Sequence, residues 1–242
     1  PIVFDTTTRY NKQDTSHGGE FYFPDHTMYY SIMPVDEDSR YDLRIVVNDK
    51  VLTSETNIVN KFSVTKPGQA KSVNYIPESK MKFAWSVSYF AKSYDGYIRF
   101  HFMEVWKDQP DTVYRYIDWY VVERTNETVA VGEDIELYYP ADNFYIGVQN
   151  TVPYFDSQME SQVLERYSGI AEYIVYAATD ELTTYVNVNN VNTNSIVLER
   201  PSYTNINDGL GLFSSRGLAN TTKTLANDTK DRLSQLGVKF VY

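Results

Sequence analysis

The chain has 242 residues, enough for one large all-β domain or two small ones with a real core. It holds no cysteine, which excludes a disulfide framework, thiolate catalysis and cysteine-based metal sites. A formal net charge of −10 argues against nucleic acid and anionic membrane surfaces as partners, since both demand a basic face.

With 22 Tyr, 12 Phe and 3 Trp the chain favours strands, where rings pack on a pleated face and tyrosine keeps its hydroxyl at the wet edge. It starts at Pro1 with no signal peptide, as a mature or trimmed chain would, and no apolar run approaches the roughly 18 residues of a membrane-spanning helix. Residues 1–20 read as an extended lead-in, with an edge strand at Ile2 to Phe4. Strands follow at Met28 to Met33, Tyr41 to Val47 and Lys61 to Val64, separated by the turns Asp36 to Ser39 and Asn48 to Lys50. Leu43, Ile45 and Val47 share one side, the pattern of a strand with one buried face. Lys66 to Gln69 is the clearest internal punctuation and suggests a boundary, with an N-terminal β subdomain or lead-in over 1–66 and a main sandwich over 67–242.

The strongest strand signal comes next. Lys82 to Ala91 predicts a strand, Asp95-Gly96 a tight turn, and Tyr97 to Trp106 its hairpin partner with Ile98, Phe100, Phe102 and Trp106 on one face. A turn at Asp108 to Asp111 leads into Val113 to Glu123. There Val113, Ile117, Trp119 and Val121 share one side, and Tyr114, Tyr116 and Tyr120 line the other. Ile135 to Tyr139 predicts a strand ended by Pro140, and short helices are expected near 141–150, 180–187 and 224–236. Ile170 to Ala177 is a further strand, and Val238 to Val241 a terminal one. The expected fold is therefore all-β: an antiparallel β-sandwich, immunoglobulin-like or related, with a few short helices.

Chemistry-bearing patterns are sparse. The three histidines, His17, His26 and His101, form no His-Glu-x-x-His motif. His17 and His26 with Glu20 and Asp25 match no ligand spacing, and His101 sits opposite the apolar set of its strand. The acidic run Asp36 to Asp38, like Asp108 with Asp111, reads as a solvated turn and not a calcium loop. Gly-x-Ser-x-Gly does not occur. Glu104, Asp118, Glu123 and Glu172 lie on predicted strands and could supply a carboxylate pair for glycoside hydrolysis. No cofactor is expected. For binding, Tyr114, Tyr116 and Tyr120 are the candidates, as stacking groups that lose little entropy, while Trp85, Trp106 and Trp119 are expected to face the core.

The segment Tyr203 to Gly217 carries Asn205-Ile206 and then Gly209-Leu210-Gly211-Leu212-Phe213. Asn207-Asp208-Gly209 is a turn signal, and the residues after it suggest a short strand entering the core, with Leu210 or Leu212 buried and at least one glycine at positive φ. The Gly-x-Gly lacks a third glycine and a surrounding strand–turn–helix unit, so phosphate cradling is set aside and Asn205, Gly209, Gly211 and Phe213 are read as architectural. The segment resembles the Asn-Ile and Gly-Leu-Gly-x-Phe ending of a Bacteroidota cell-envelope lipoprotein family. Ala177 to Tyr185 resembles the short acidic segment that precedes it there. The resemblance covers the last quarter of the chain. It implies a non-catalytic lipoprotein of the periplasm or cell surface, accessory to an outer-membrane uptake system, with an unknown protein or glycan ligand. Membrane association would come only through a lipid anchor upstream of Pro1.

Overall fold

The structure, a computed structural model, describes residues 6–10, 26–107, 111–125, 130, 132–154, 160–190 and 203–241. The chain divides into two compact units, Pro1–Asp36 and Glu37–Tyr242. In the first, β1 (Thr6–Tyr10) pairs antiparallel with β2 (His26–Tyr30). The strand expected at Ile2 to Phe4, and His17 with its acidic neighbours, lie outside the described residues.

The second unit begins with a hairpin of β3 (Arg40–Val47) and β4 (Lys50–Asn57). Its two-residue turn places Asn48 and Asp49 at φ 47° and 63°, the left-handed pair that matches strand twist. Ile45 and Val47 are exposed, so β3 lacks the buried face that its alternation suggested.

Two sheets then form a sandwich-like, all-β body with few helices. The smaller holds β5 (Val64–Lys66), β7 (Lys80–Ser86) and β10 (Asp134–Pro140), in the order β10-β7-β5. The larger holds β6 (Ser72–Val73), β8 (Ser93–Trp106), β9 (Val113–Thr125), β11 (Val163–Ala178), β12 (Arg216–Leu225) and β13 (Phe240–Val241). Its order is β6-β12-β11-β8-β9, with β13 beside β11. All pairs are antiparallel except β6 with β12 and β11 with β13. The helices are α1 (Asp142–Thr151), α2 (Asp180–Asn190) and α3 (Asn227–Gln235), close to the three expected. Lys66 to Gln69, read as a boundary, lies between β5 and β6 within this second unit.

One expectation fails instructively. Asp95-Gly96 is not a turn: it lies within β8, and β7 pairs with β10 and β5 in the other sheet. Gly96 serves a close approach instead, because a Cβ there would stand 3.2 Å from Phe83 and 3.3 Å from Val122. The neighbouring register shift against β9 absorbs the irregularity.

Between the sheets, Phe83, Trp85 and Ile135 pack against Ile98, Phe100, Ile117 and Tyr173, with Phe83 edge-on to Tyr173 at 5.4 Å. The alternation of β8 buries Ile98, Phe100, Phe102 and Trp106 as the pattern required. Each large side chain so buried contributes about 1.5–3 kcal/mol. In α1, Phe144 and Val148 lie one turn apart on the inner face, and Phe144 stacks on Tyr75 at 4.2 Å. The hydroxyls of Tyr75 and Tyr139 meet that of Tyr173 at 2.8 and 3.4 Å, so three buried phenols satisfy one another.

A second polar cluster is ionic. Arg166 donates from Nε to Glu104 Oε1 (2.9 Å), from Nη1 to Glu160 Oε1 (3.0 Å) and the Val238 carbonyl (2.8 Å), and from Nη2 to Glu160 Oε2. Glu104 also accepts from Trp106 Nε1 (3.2 Å) and Arg115 Nε (3.3 Å). Burial disfavours the Arg166 charge, yet its hydrogen bonds to Glu160 and Glu104 outweigh this and hold its pKa above the ordinary value.

Candidate ligand-binding face

The period-two alternation that sends Ile98, Phe100 and Phe102 inward sends Tyr97, Arg99 and His101 to the opposite face of the larger sheet. On β9 the same rule puts Tyr114, Tyr116, Asp118 and Tyr120 outward. Register then sets His101 opposite Tyr116, Arg99 opposite Asp118 and Tyr97 opposite Tyr120. On the other flank of β8, Glu172 of β11 lies opposite Arg99. The three predicted tyrosines therefore share one open face, exposed by 78%, 50% and 72%.

They are joined by residues that sequence reasoning did not single out. Arg99 donates from Nε and Nη2 to the two oxygens of Asp118 at 2.7 and 2.8 Å, and lies over the Tyr116 ring at 4.1 Å. This hydrogen-bonded pair keeps the guanidinium charged well beyond its ordinary range. His101 Nε2 lies 3.2 Å from Glu172 Oε2, and Glu172 Oε1 accepts from Asn220 Nδ2 at 2.6 Å. Farther along, Tyr97 lies 5.5 Å from Tyr120 and 6.1 Å from Tyr176, and Arg216 stands 4.4 Å above the Tyr176 ring. Burial, then a hydrogen bond with Tyr176, pushes the Tyr97 hydroxyl up to about 12. The signal for these partners was present in the alternation of Tyr97, Arg99 and His101. The pairing of β8 with β11 and of β11 with β12 was not.

The result is a surface of rings and hydroxyls in which Arg99, Asp118 and Glu172 each already have a polar partner. Such a surface suits ring stacking and hydrogen bonding more than acid–base chemistry. Of the four strand carboxylates, Glu104 faces the core, while Asp118 and Glu172 point outward, each held by the partners just named. The side chain of Glu123 lies outside the described residues. Among the described residues no cluster of His, Asp and Glu could hold a metal ion. Trp85 and Trp106 are buried, and Trp119 packs against the core.

The C-terminal motif is a closed loop. Asn205 clamps the Phe213 backbone in both directions: its Nδ2 donates to the carbonyl (2.7 Å) and its Oδ1 accepts from the N–H (2.9 Å). Thr204 Oγ1 likewise donates to the Gly211 carbonyl (2.9 Å) and accepts from its N–H (3.1 Å). Gly211 sits at φ +146°, as a glycine must, whereas Gly209 has no such angle. The expected strand is absent: residues 210–215 are irregular, Leu210 is 87% exposed and Leu212 is half-buried. The loop's bonds run instead to the β3–β4 hairpin, where Ser54 Oγ donates to the Asn205 carbonyl (2.7 Å) and Asn207 N to the Thr53 carbonyl (2.8 Å).

No protein-family model matches the chain, and no curated protein matches its sequence.

Proposed function

We propose that this chain is a non-catalytic binding protein of a bacterial cell envelope, accessory to an outer-membrane uptake system, which holds a protein or glycan ligand against the outer face of its larger sheet. The observation that carries the binding part is the open row of Tyr114, Tyr116 and Tyr120, braced by Arg99 and Tyr97. Tyrosines on one sheet face offer contact area at low entropic cost, the usual basis of adaptable recognition. The envelope part rests on the resemblance of Tyr203 to Gly217 and Ala177 to Tyr185 to the lipoprotein family.

The alternative, a glycan hydrolase, needs two carboxylates facing a common cleft. It draws less support, because Glu104 is sealed in the core by Arg166 and Asp118 is fully engaged by Arg99.

Changing Tyr114, Tyr116 and Tyr120 together to Ala tests the reading on arrays of glycans and peptides. Capture should fall by tenfold or more, about 1.4 kcal/mol or above for the lost stacking, with the circular dichroism spectrum and melting temperature preserved. Undiminished capture would remove the face from consideration. Fractionation of cells expressing the whole gene should place the protein with the outer membrane.

A further inference from the structure

At the end of the aromatic row farthest from Tyr114, a cavity of about 180 Å³ opens between β8, β11 and α2, walled by Tyr176, Ala178, Leu182 and Val186, with Arg216 at its mouth. An apolar cavity of about 150 Å³ accommodates a benzene ring, so this space suits one ring or one branched side chain. Its hydroxyls are already engaged. Thr183 Oγ1 donates to the Thr179 carbonyl (2.9 Å), so Ser93 must donate to Thr183 across their 2.7 Å contact.

Arg216 contrasts with Arg99. Both guanidinium groups lie over a tyrosine ring, at 4.4 and 4.1 Å. Arg99 has its N–H fork filled by Asp118, whereas among the described residues no carboxylate pairs with Arg216. Arg216 lies over the Tyr176 ring, which leaves the guanidinium edge for a planar anion. Asp95, also on the rim, disfavours a second negative charge nearby, as does the net charge of −10.

We infer that this pocket takes an apolar side chain together with one adjacent carboxylate, the chemistry of a peptide C-terminus ending in phenylalanine or leucine, with Arg216 receiving the carboxylate. This deepens the binding function proposed above and rests on it. A carboxylate captured by a fixed donor set beside an apolar hole is a recurrent way to read a chain end. A polyuronate, with a charge on every ring, fits the Asp95 rim poorly.

The test is an NMR titration of the whole chain with N-acetyl-phenylalanine, its carboxamide and a diuronate. N-acetyl-phenylalanine should shift the amides of Tyr176, Leu182 and Arg216. Replacing its carboxylate by carboxamide, or Arg216→Gln in the protein, should weaken binding about tenfold or more. Val186→Trp, which fills the cavity from α2 and leaves Arg216 in the sequence, should abolish binding and supplies a second variant should the first fail to fold. Equal binding of acid and amide, no effect of Arg216→Gln, or tighter binding of the diuronate would each overturn the inference. The Tyr114, Tyr116 and Tyr120 triple variant keeps the pocket and should bind N-acetyl-phenylalanine normally. If it also retains every extended ligand, the face reading fails while the pocket stands. If it loses extended ligands and the native chain does not bind N-acetyl-phenylalanine, the pocket fails while the face stands.

Discussion

Arg166→Met removes the centre of the buried ionic cluster and keeps much of the volume. Arg166 and Glu104 are 1% and 2% exposed, so water cannot replace the lost partner. Glu104 then keeps Trp106 and Arg115 but loses the 2.9 Å bond from Nε, while Glu160 and the Val238 carbonyl lose theirs. Breaking a buried pair by deleting one partner costs about 3–5 kcal/mol. The remaining Arg115 contact sets the expectation at the lower end, about 3 kcal/mol. In a chain of this size each kcal/mol lowers the midpoint by about 2–4 °C, so the melting temperature should fall by roughly 6–12 °C. Urea melts followed by circular dichroism give the free energy, and the double variant Glu104→Gln with Arg166→Met gives the coupling. The double variant should cost clearly less than the sum of the two single ones. A single-variant cost under about 1 kcal/mol, or strict additivity, would refute the claim that the pair acts as a unit.

Raising the pH should unfold the protein through its tyrosines. Burial, then the neighbouring phenols, lifts Tyr75 far above the ordinary value of about 10; burial lifts Tyr139 and Tyr173 as well, and Tyr97 reaches about 12. Because the folded values are raised, the folded state holds protons that the unfolded state releases. Stability is therefore complete below about pH 10 and is lost as the pH climbs through 10 to 12, seen as tyrosines whose ultraviolet titration waits for unfolding. Gly211→Val forces a β-branched residue into φ +146° and should cost about 1–3 kcal/mol by thermal melt. Gly209→Val meets only methyl ends of Ile206 and Leu52 at 3.2 Å and should cost less. Asn205→Ala deletes two backbone bonds, about 1–3 kcal/mol together, and should make the β3–β4 hairpin the first site of proteolytic cleavage.

Much of the fold was legible where the chain obeys one period. The alternation over Tyr97 to Trp106 and Val113 to Glu123 gave both strands and the side on which each buries its apolar residues, and Pro140 marked the end of β10 just before α1. The sequence misled where a local signal had two physical uses. Asp95-Gly96 reads as a turn because turns use such residues, yet here glycine admits Phe83 and Val122 from neighbouring strands. Likewise β12 is polar along one side and rich in threonine near its end, so its strand character comes from lying between β6 and β11 and not from its own alternation.

The same distinction governs the site. One strand's alternation is enough to place three tyrosines on a common face, so Tyr114, Tyr116 and Tyr120 could be named from the sequence alone. What gives that face its character is cross-strand: Arg99 meets Asp118 from 19 positions away, His101 meets Glu172 from 71, and Asn220 reaches Glu172 from 48. No periodicity within a strand encodes which strand lies beside it. The charge state of the face, and hence whether it offers catalysis or recognition, is therefore a property of topology. An arginine that finds its carboxylate, like Arg99, braces a ring; Arg216, which among the described residues pairs with no carboxylate, stacks on Tyr176 alone and so carries the proposal of an anion site.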